Sequence, residues 1–315
     1  MQTKQNLLAY SRSYALVFWS ALLFFIIFNS KLVSADSPTV DLYTGRNYSQ
    51  NDKVVRREYR WEDINSAQVI QADQDQFIID ARVPLRNFRV ELMIPRSQII
   101  AAVRDFGIPE DWLQIKYRNE EELRIKKKIL ISQAAAKGIT FDPNRNLFSV
   151  DYKWVISRSH NDVLDTFKKL LSIAQKADYR DTRKLLGLFA SFVQSLEYKQ
   201  IPVTRKNDDG KYIFVAGVTM PIETLANGFG DCDTKCLLFG SLLSHLKNTK
   251  MILVQGGNHV FAGINIVPKP GDRYVRIRNE NYVLVELTSP WLLGHIPDEN
   301  WRGLRMKKFE IITLF

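Results

Sequence analysis

Both cysteines of this chain lie one helical turn apart in the stretch GFGDCDTKCLLFGSLLSHL, residues 228–246. Apolar residues recur there at steps of three and four, which predicts a helix that begins near Cys232. Cys236 falls on the buried stripe of this helix, whereas Cys232 falls in the first turn, where backbone N–H groups lack helical partners. Those donors and the helix dipole favour a thiolate, so we expect a lowered pKa at Cys232. The position predicts nucleophilic attack by sulfur.

A nucleophilic thiolate needs a nearby base, and the chain has four histidines. His259 follows Gly-Gly-Asn and opens a strand, so its ring can lie at a sheet end facing the start of the cysteine helix. His160 precedes a helix, His245 lies far along the cysteine helix, and His295 lies in a loop beside a proline. A lone histidine at a strand start is more often structural. The Gly-Asp-Cys helix start is what favours His259 as the base.

The base in turn needs an acceptor that orients its second ring nitrogen. Glu286 lies within the strand VLVELT, where alternation alone favours the solvent face and an internal pairing is the other interpretation. Asp272 and Asp298 are loop residues and weaker candidates. Asp231 and Asp233 flank the cysteine and are expected to cap its helix rather than act as base. Cysteine and histidine are too few and too widely spaced for a metal site, so we expect no metal and no cofactor.

Three blocks in this order resemble the core of the transglutaminase-like superfamily, in particular its bacterial cysteine peptidase-type domains. They are PIETLANGFGDCDTKCLLFGSLL, GGNHVFAGINI and YVLVELTSPWLLGHIP, and the resemblance covers about residues 185–297. It implies an α+β, papain-like fold in which a catalytic cysteine at a helix N-terminus packs on an antiparallel sheet. It also implies Cys232 as nucleophile, His259 as general base and acid, and Glu286 as the acid that orients the histidine. The superfamily commonly has aspartate at this last position.

The donors for an oxyanion are suggested by two features of the sequence. The backbone N–H of Cys232, at a helix start, is the simplest donor. Gln194 in FVQSLEY resembles a segment that precedes the catalytic helix in bacterial relatives, which implies a second donor. An ordinary polar residue on a helix is an equally good interpretation of Gln194.

The function expected from these residues is acyl transfer through a thioester. With water as acceptor the protein is a peptidase or amidase acting on protein or cell-wall peptide amides, and this is the outcome we expect. With an amine as acceptor it is a protein-crosslinking transglutaminase. A non-catalytic envelope protein that uses the same fold for binding or scaffolding is the alternative of another class.

The N-terminus predicts export. Residues 14–28 are apolar, and Val33 and Ala35 match the small-residue pattern before a signal-peptidase cut, so residues 1–35 are expected to be a cleaved signal peptide. Lys31 favours the alternative, a retained transmembrane anchor. Either way the remainder would be periplasmic or in the cell envelope. Export would permit a disulfide, but cysteines at i and i+4 on one helix meet awkwardly, so we expect free thiols.

Charge limits the class of partner. Residues 1–35 hold three basic and no acidic side chains, so their removal lowers the formal charge from +10 to +7. A basic exported protein suits an anionic cell-wall or membrane surface besides its protein or peptide substrate. The densest basic run, RIKKK at residues 124–128, lies beside NEEEL and is interpreted as a solvated helix face, so no nucleic-acid partner is expected. The sequence says nothing of oligomeric state.

Two parts are predicted after the signal: a smaller mixed α/β segment of unknown role, residues 36–157, and a catalytic domain, residues 158–315. In the first part, the polar residues 36 to about 60 are expected to be a loose lead-in. The remaining predictions there are strands 75–83, 88–95 and 147–156 and helices 96–107 and 109–137. In the second part we expect helices 162–177 and 181–196 and antiparallel strands 251–255, 259–267 and 282–288, with residues 268–281 as a loop.

Overall fold

The computed structural model describes residues 3–4, 53–72, 77–306 and 309–315. Over these residues it contains eight α-helices and several antiparallel sheets, which confirms the predicted α+β class. The expected signal peptide or anchor and residues 36–52 of the expected lead-in lie outside the described residues, apart from Thr3 and Lys4.

The α-helices occupy both parts of the chain. They are α1 (Arg96–Asp105), α2 (Glu120–Ala135), α3 (Tyr152–Ser159), α4 (Leu164–Lys176), α5 (Thr182–Gln194), α6 (Pro221–Asn227), α7 (Cys232–Leu243) and α8 (Asp298–Arg305). Short 3-10 helices cover Ile64–Ser66 and Glu110–Leu113. Within the described part of the chain, none of the helices combines the length and the apolar character that crossing a membrane requires.

The strands are mostly short. They are β1 (Thr3–Lys4), β2 (Val54–Asp63), β3 (Val69–Ala72), β4 (Phe77–Ile79), β5 (Arg86–Pro95), β6 (Ile108–Pro109), β7 (Lys116–Tyr117), β8 (Ile139–Asp142), β9 (Leu147–Val150), β10 (Glu197–Tyr198), β11 (Thr204–Lys206), β12 (Tyr212–Phe214), β13 (Phe229–Gly230), β14 (Met251–Gly256), β15 (His259–Asn265), β16 (Tyr274–Ile277), β17 (Glu280–Val285) and β18 (Phe309–Thr313).

A five-stranded antiparallel sheet with the order β16-β17-β15-β14-β18 supports the second half of the chain. Side chains alternate along its strands, so two separate apolar clusters form on its faces. Val260, Ala262 and Val285 belong to the larger cluster, which includes α7. Phe261 and Leu284 belong to a smaller cluster on the other face, with Leu304 of α8. The sheet is therefore covered on both faces.

Helix α7 is the central helix of the larger cluster. Ten of its twelve residues are buried, so it is enclosed on all sides rather than along one stripe. It packs against α3, α5, α6 and β15. Gly240 lies against Ile156 and Met251, at distances that leave no room for a Cβ atom. An enclosed helix holds its first residue in a fixed place relative to the sheet.

Strand β2, from the first half of the chain, supports the helices of the second half. Trp61 and Tyr59 pack edge-on against Phe192 of α5, each with ring centroids 5.3 Å apart. The Tyr59 hydroxyl donates to the carbonyl of Leu225, and Arg57 donates to the carbonyls of Ala226 and Asn227, at the C-terminal end of α6. These bonds satisfy carbonyls that a helix end leaves without helical partners. Residues from both halves thus share one buried cluster.

Several predicted boundaries are wrong, and polar side chains explain most of them. The lead-in becomes β2 at Val54, where a ten-residue ladder with β5 begins. Strand β9 stops at Val150 because the Asp151 carboxylate accepts a hydrogen bond from Trp154 N (3.0 Å) and starts α3. The long helix predicted from Pro109 exists only as α2, which begins after Asn119 accepts from Glu122 N (2.8 Å).

Other predictions agree with the structure to within a few residues. Residues 75–83 contain only the short strand β4, but α1, α4, α5, α7, β5, β14 and β15 lie where they were expected. The expected loop 268–281 contains β16, which forms a hairpin with β17 through Arg278 and Asn279. Both turn residues have positive φ, 45° and 69°, as a tight hairpin turn requires. The basic run on α2 is paired as expected, with Arg124 on Glu121 and Lys126 on Glu122.

Candidate active site

Cys232 is the first residue of α7, as predicted, and its carboxylate-bearing neighbour Asp231 is the N-cap. Asp231 accepts hydrogen bonds from Thr234 N (3.3 Å) and Ile201 N (3.1 Å), so it caps the helix and ties it to a neighbouring segment. The chain reaches this point through Gly228, which ends α6 in the left-handed conformation (φ 79°). A side chain would be strained at that φ, so glycine permits the sharp approach to the nucleophile.

Both thiols of α7 lie against the start of β15. The backbone of Val260 forms a hydrogen bond with the Cys232 thiol, and the carbonyl of Val260 accepts one from Cys236 Sγ (3.6 Å). The two cysteines are free, as expected, and Cys236 is completely buried while Cys232 is partly exposed. Because Val260 follows His259 directly, these contacts place the start of the histidine strand beside the nucleophile.

His259 and Glu286 form the predicted pair. Their contact joins His259 Nε2 to Glu286 Oε2 at 2.8 Å, and Glu286 is only 2% exposed. The sheet register pairs Ala262 with Val285, so alternation puts Phe261, His259 and Glu286 on the same face. Glu286 lies just beyond the end of β17, where it can reach diagonally to the histidine. The solvent-face interpretation of this glutamate does not hold.

Glu286 stays ionised in its buried place. Burial raises the pKa of its carboxyl group. The hydrogen bond and charge of His259 lower the pKa, as do two hydrogen bonds from Thr288, and these effects exceed that of burial, so the pKa lies below its usual value. Oε1 accepts from Thr288 N (2.7 Å) and from its hydroxyl (2.6 Å). Because the charged carboxylate only accepts, His259 Nε2 is the donor in their contact, and in the neutral form of the ring Nδ1 is then the proton acceptor. This is the arrangement a general base requires.

The expectation of a lowered pKa at Cys232 is wrong for the free protein. Burial, together with the negative charges of Asp233 and Asp231, raises the pKa of the thiol to about 12. Hydrogen bonds from the backbone of Val260 and Asp233 lower the pKa, but by less than burial and the charges raise it. Burial and the charge of Asp231 also raise the pKa of Asp233 itself. The helix start alone therefore does not produce a thiolate, and the proton must leave the sulfur during reaction.

This pKa predicts how Cys232 reacts with iodoacetamide. The thiolate is the reacting species, and its fraction rises about tenfold per pH unit below the pKa. Alkylation of Cys232, followed by peptide mass spectrometry, should therefore accelerate from pH 7 to pH 9 without a plateau. Cys236 should label far more slowly because it is completely buried. A plateau below pH 8 would instead indicate a thiolate–imidazolium pair in the free protein.

Gln194 lies at the site but makes other contacts than predicted. Its Nε2 donates to the carbonyls of Glu286 (2.7 Å) and Trp291 (2.9 Å), which uses both amide hydrogens. Its Oε1 is buried and has no hydrogen-bond partner among the described residues. Donation to an oxyanion would require one of these two bonds to break, so the amide contributes here by holding the segment after β17.

Lys235 is the residue at this site that the sequence analysis missed. It is 0% exposed, and its Nζ donates to the carbonyls of Leu196 (2.6 Å) and Gln194 (3.5 Å). Burial lowers the pKa of its ammonium group to about 8, and the charge of Glu286 opposes that shift. The signal was present in the sequence, since a lysine inside an apolar helical run must be buried or must interrupt the stripe. Tyr198 also lies near the site: burial raises the pKa of its hydroxyl group, and charges that include those of Cys232 and Glu286 act in the same direction.

The other candidates lie elsewhere and have structural partners. His160 bonds Ser244 Oγ (2.8 Å) and stacks on His245. His295 is buried edge-on to Phe77. Asp272 accepts from Arg183 (2.6 Å), and Asp298 accepts from Arg273. None of these contacts involves Cys232, His259 or Glu286.

The described residues contain no group of three or more His, Cys, Asp or Glu side chains arranged to hold a metal ion. Comparison of the chain with known protein families, with curated proteins and with solved structures gives no match. What this chain does must therefore be argued from the site itself.

Proposed function

We propose that this chain is a thiol-dependent acyl-transfer enzyme with a papain-like, transglutaminase-like core. Cys232 is the nucleophile, His259 the general base and acid, and Glu286 the acid that orients the histidine. One observation carries the proposal: the buried 2.8 Å hydrogen bond between His259 and Glu286 beside the helix start that bears a partly exposed cysteine. A cysteine, a histidine and an ionised acid in this order form the arrangement used for covalent acyl transfer.

The first half of the reaction forms a thioester. His259 Nδ1 accepts the Cys232 proton while sulfur bonds to the carbonyl carbon, and the electron pair of the C=O double bond moves to oxygen. The N–H of Cys232 donates to the resulting oxyanion. The intermediate then collapses, the C–N bond breaks, and the amine leaves with the proton from the imidazolium. The Glu286 charge stabilises that imidazolium, and a base is needed because the free thiol is neutral.

The second half releases the acyl group. An acceptor gives its proton to His259 and attacks the thioester carbon, and the sulfur departs and regains a proton from the imidazolium. With water the product is a carboxylic acid, and with an amine it is a new amide. We favour hydrolysis of protein or cell-wall peptide amides in the cell envelope. Water is always present, and the sequence shows no acidic tunnel suited to an amine.

The proposal is tested by trapping the acyl group. Incubation with an activated acyl ester should add one acyl mass to the wild-type protein, located at Cys232 by peptide mapping, and added alkylamine should capture part of it as amide. Cys236→Ala should acylate normally, whereas Cys232→Ala should not acylate. Persistent labelling of Cys232→Ala, or no labelling of the wild type, would support the non-catalytic scaffold instead.

A further inference from the structure

Residues 194–201, which run from the end of α5 through β10, touch the nucleophile side of the site. Strand β10 pairs in parallel with β13, the two residues that precede Asp231. Glu197 N donates to Gly228 O (3.0 Å), Lys199 N donates to Gly230 O (3.1 Å), and Ile201 N donates to the Asp231 carboxylate (3.1 Å). This 194–201 segment therefore runs beside residues 228–231, which lead up to Cys232.

The same segment is bound from inside α7 by a buried ammonium group. Lys235 lies three residues after Cys232 and points its Nζ to the carbonyls of Leu196 (2.6 Å) and Gln194 (3.5 Å). Those carbonyls lie at the C-terminal end of α5, where a cation interacts favourably with the helix dipole. The nucleophile helix is thus fixed to the 194–201 segment by a side chain as well as by backbone bonds.

The first residue of the segment reaches the acid side of the site. Gln194 is 5% exposed, and its amide donates to the carbonyl of Glu286 itself (2.7 Å) and to that of Trp291 (2.9 Å). Glu286 lies beyond the end of β17, outside the ladder that holds β15 to β17. The Gln194 amide therefore restrains the backbone at Glu286, beyond the point where the hydrogen bonds of the sheet end.

Both side chains are costly choices for packing alone. A fully buried lysine whose hydrogen bonds go to backbone carbonyls loses its hydration, and Gln194 buries an amide oxygen without a partner among the described residues. Apolar residues of similar length would fill the same space without that desolvation. Stability by itself is therefore a poor reason for a lysine and a glutamine at these positions.

We propose that Lys235 and Gln194 are positioning residues that hold the Cys232 helix and the Glu286 strand end at one fixed separation through the 194–201 segment. The inference rests on the proposed acyl-transfer function. Neither side chain touches the reacting atoms. Lys235 acts through the start of α7, and Gln194 acts through the backbone of Glu286 and hence through the orientation of His259.

The test uses two near-isosteric variants, Lys235→Met and Gln194→Met, in the full chain. Each should lower kcat by about 10- to 100-fold, as expected when reacting groups shift by about 1 Å, with KM changed less than about threefold. The double variant should lose little more than the worse single variant, because both act on one separation. Ser241→Ala is the matched control: this buried α7 hydroxyl has no hydrogen-bond partner among the described residues, so kcat should be unchanged.

A second readout does not depend on turnover. With ¹⁵N-labelled histidine, the ring-nitrogen NMR signals of the four histidines can be assigned. Those of wild-type His259 should show hydrogen fixed on Nε2. In Gln194→Met that ring should exchange between tautomers. Wild-type kcat and an unchanged His259 signal in both folded variants would overturn the positioning role, as would failure of both variants to fold. If the wild type itself lacks turnover, the acyl-transfer proposal fails, and the His259 signal alone decides the positioning role.

Discussion

Cys232→Ser is expected to lower kcat/KM by about 10⁴-fold or more, the scale seen when a covalent nucleophile is removed. The serine hydroxyl fills nearly the same space at the start of α7, so the fold and the melting temperature should change little. A hydroxyl is a much weaker nucleophile than sulfur, and His259 would have to remove a far less acidic proton. The measurement is turnover of any amide or ester that the wild type accepts, together with thermal unfolding.

Cys236→Ala provides the opposite profile from the same helix. Cys236 is completely buried against Val260, so removing its sulfur leaves a small cavity and should cost about 1–2 kcal/mol of unfolding free energy. Its kcat/KM should stay within about threefold of wild type. Equal activity losses in Cys232→Ser and Cys236→Ala, without a difference in stability, would contradict this division of roles.

Glu286→Gln is expected to lower kcat/KM by about tenfold to a thousandfold. The neutral amide cannot stabilise an imidazolium, and its NH₂ group can turn toward His259 and select the wrong tautomer. Glu286→Asp should keep part of the rate, because a shorter carboxylate retains the charge but reaches less far than the 2.8 Å contact requires. Steady-state kinetics of these two variants on one amide substrate provide the measurement.

The control for Glu286→Gln is Asp272→Asn, in the loop before β16. The Asp272 carboxylate is buried and accepts from Arg183, which is not a member of the proposed triad. Its loss should cost about 1–3 kcal/mol of stability, the worth of a hydrogen bond to a charged group, with the catalytic rate retained. A silent Glu286→Gln together with an inactive Asp272→Asn would move the orienting acid to this loop.

The sequence predicted the site's geometry where local rules decide the structure. The three- and four-residue spacing after Cys232 defines α7, and period-two alternation along β15 and β17 explains why His259 can meet Glu286. Alternation within one strand favours solvent exposure of Glu286, because it does not tell which face a neighbouring element covers. The second apolar cluster, with Leu304 of α8, covers that face.

The features that the sequence did not predict depend on contacts between distant segments. The raised pKa of Cys232 follows from burial under neighbouring elements, which a helix-start argument does not include. The role of Lys235 depends on the carbonyls of Leu196 and Gln194, about forty residues earlier in the chain. The end of strand β9 at Val150 has a local cause, because Asp151 caps the helix that follows. The sequence analysis did not predict this cap, since the residues on both sides of Asp151 are typical of a strand.

The bonds from β2 to the end of α6 bear on how this protein could be shortened. Arg57 and Tyr59 satisfy the carbonyls of α6 only a few residues before Cys232, and Trp61 packs on Phe192. A chain trimmed to residues 158–315 would keep every group of the proposed chemistry yet lose these supports. Strand β2 therefore belongs to the support of the site, although it lies in the first half of the chain. Transplanting the site to another protein would require strand β2 to move with it.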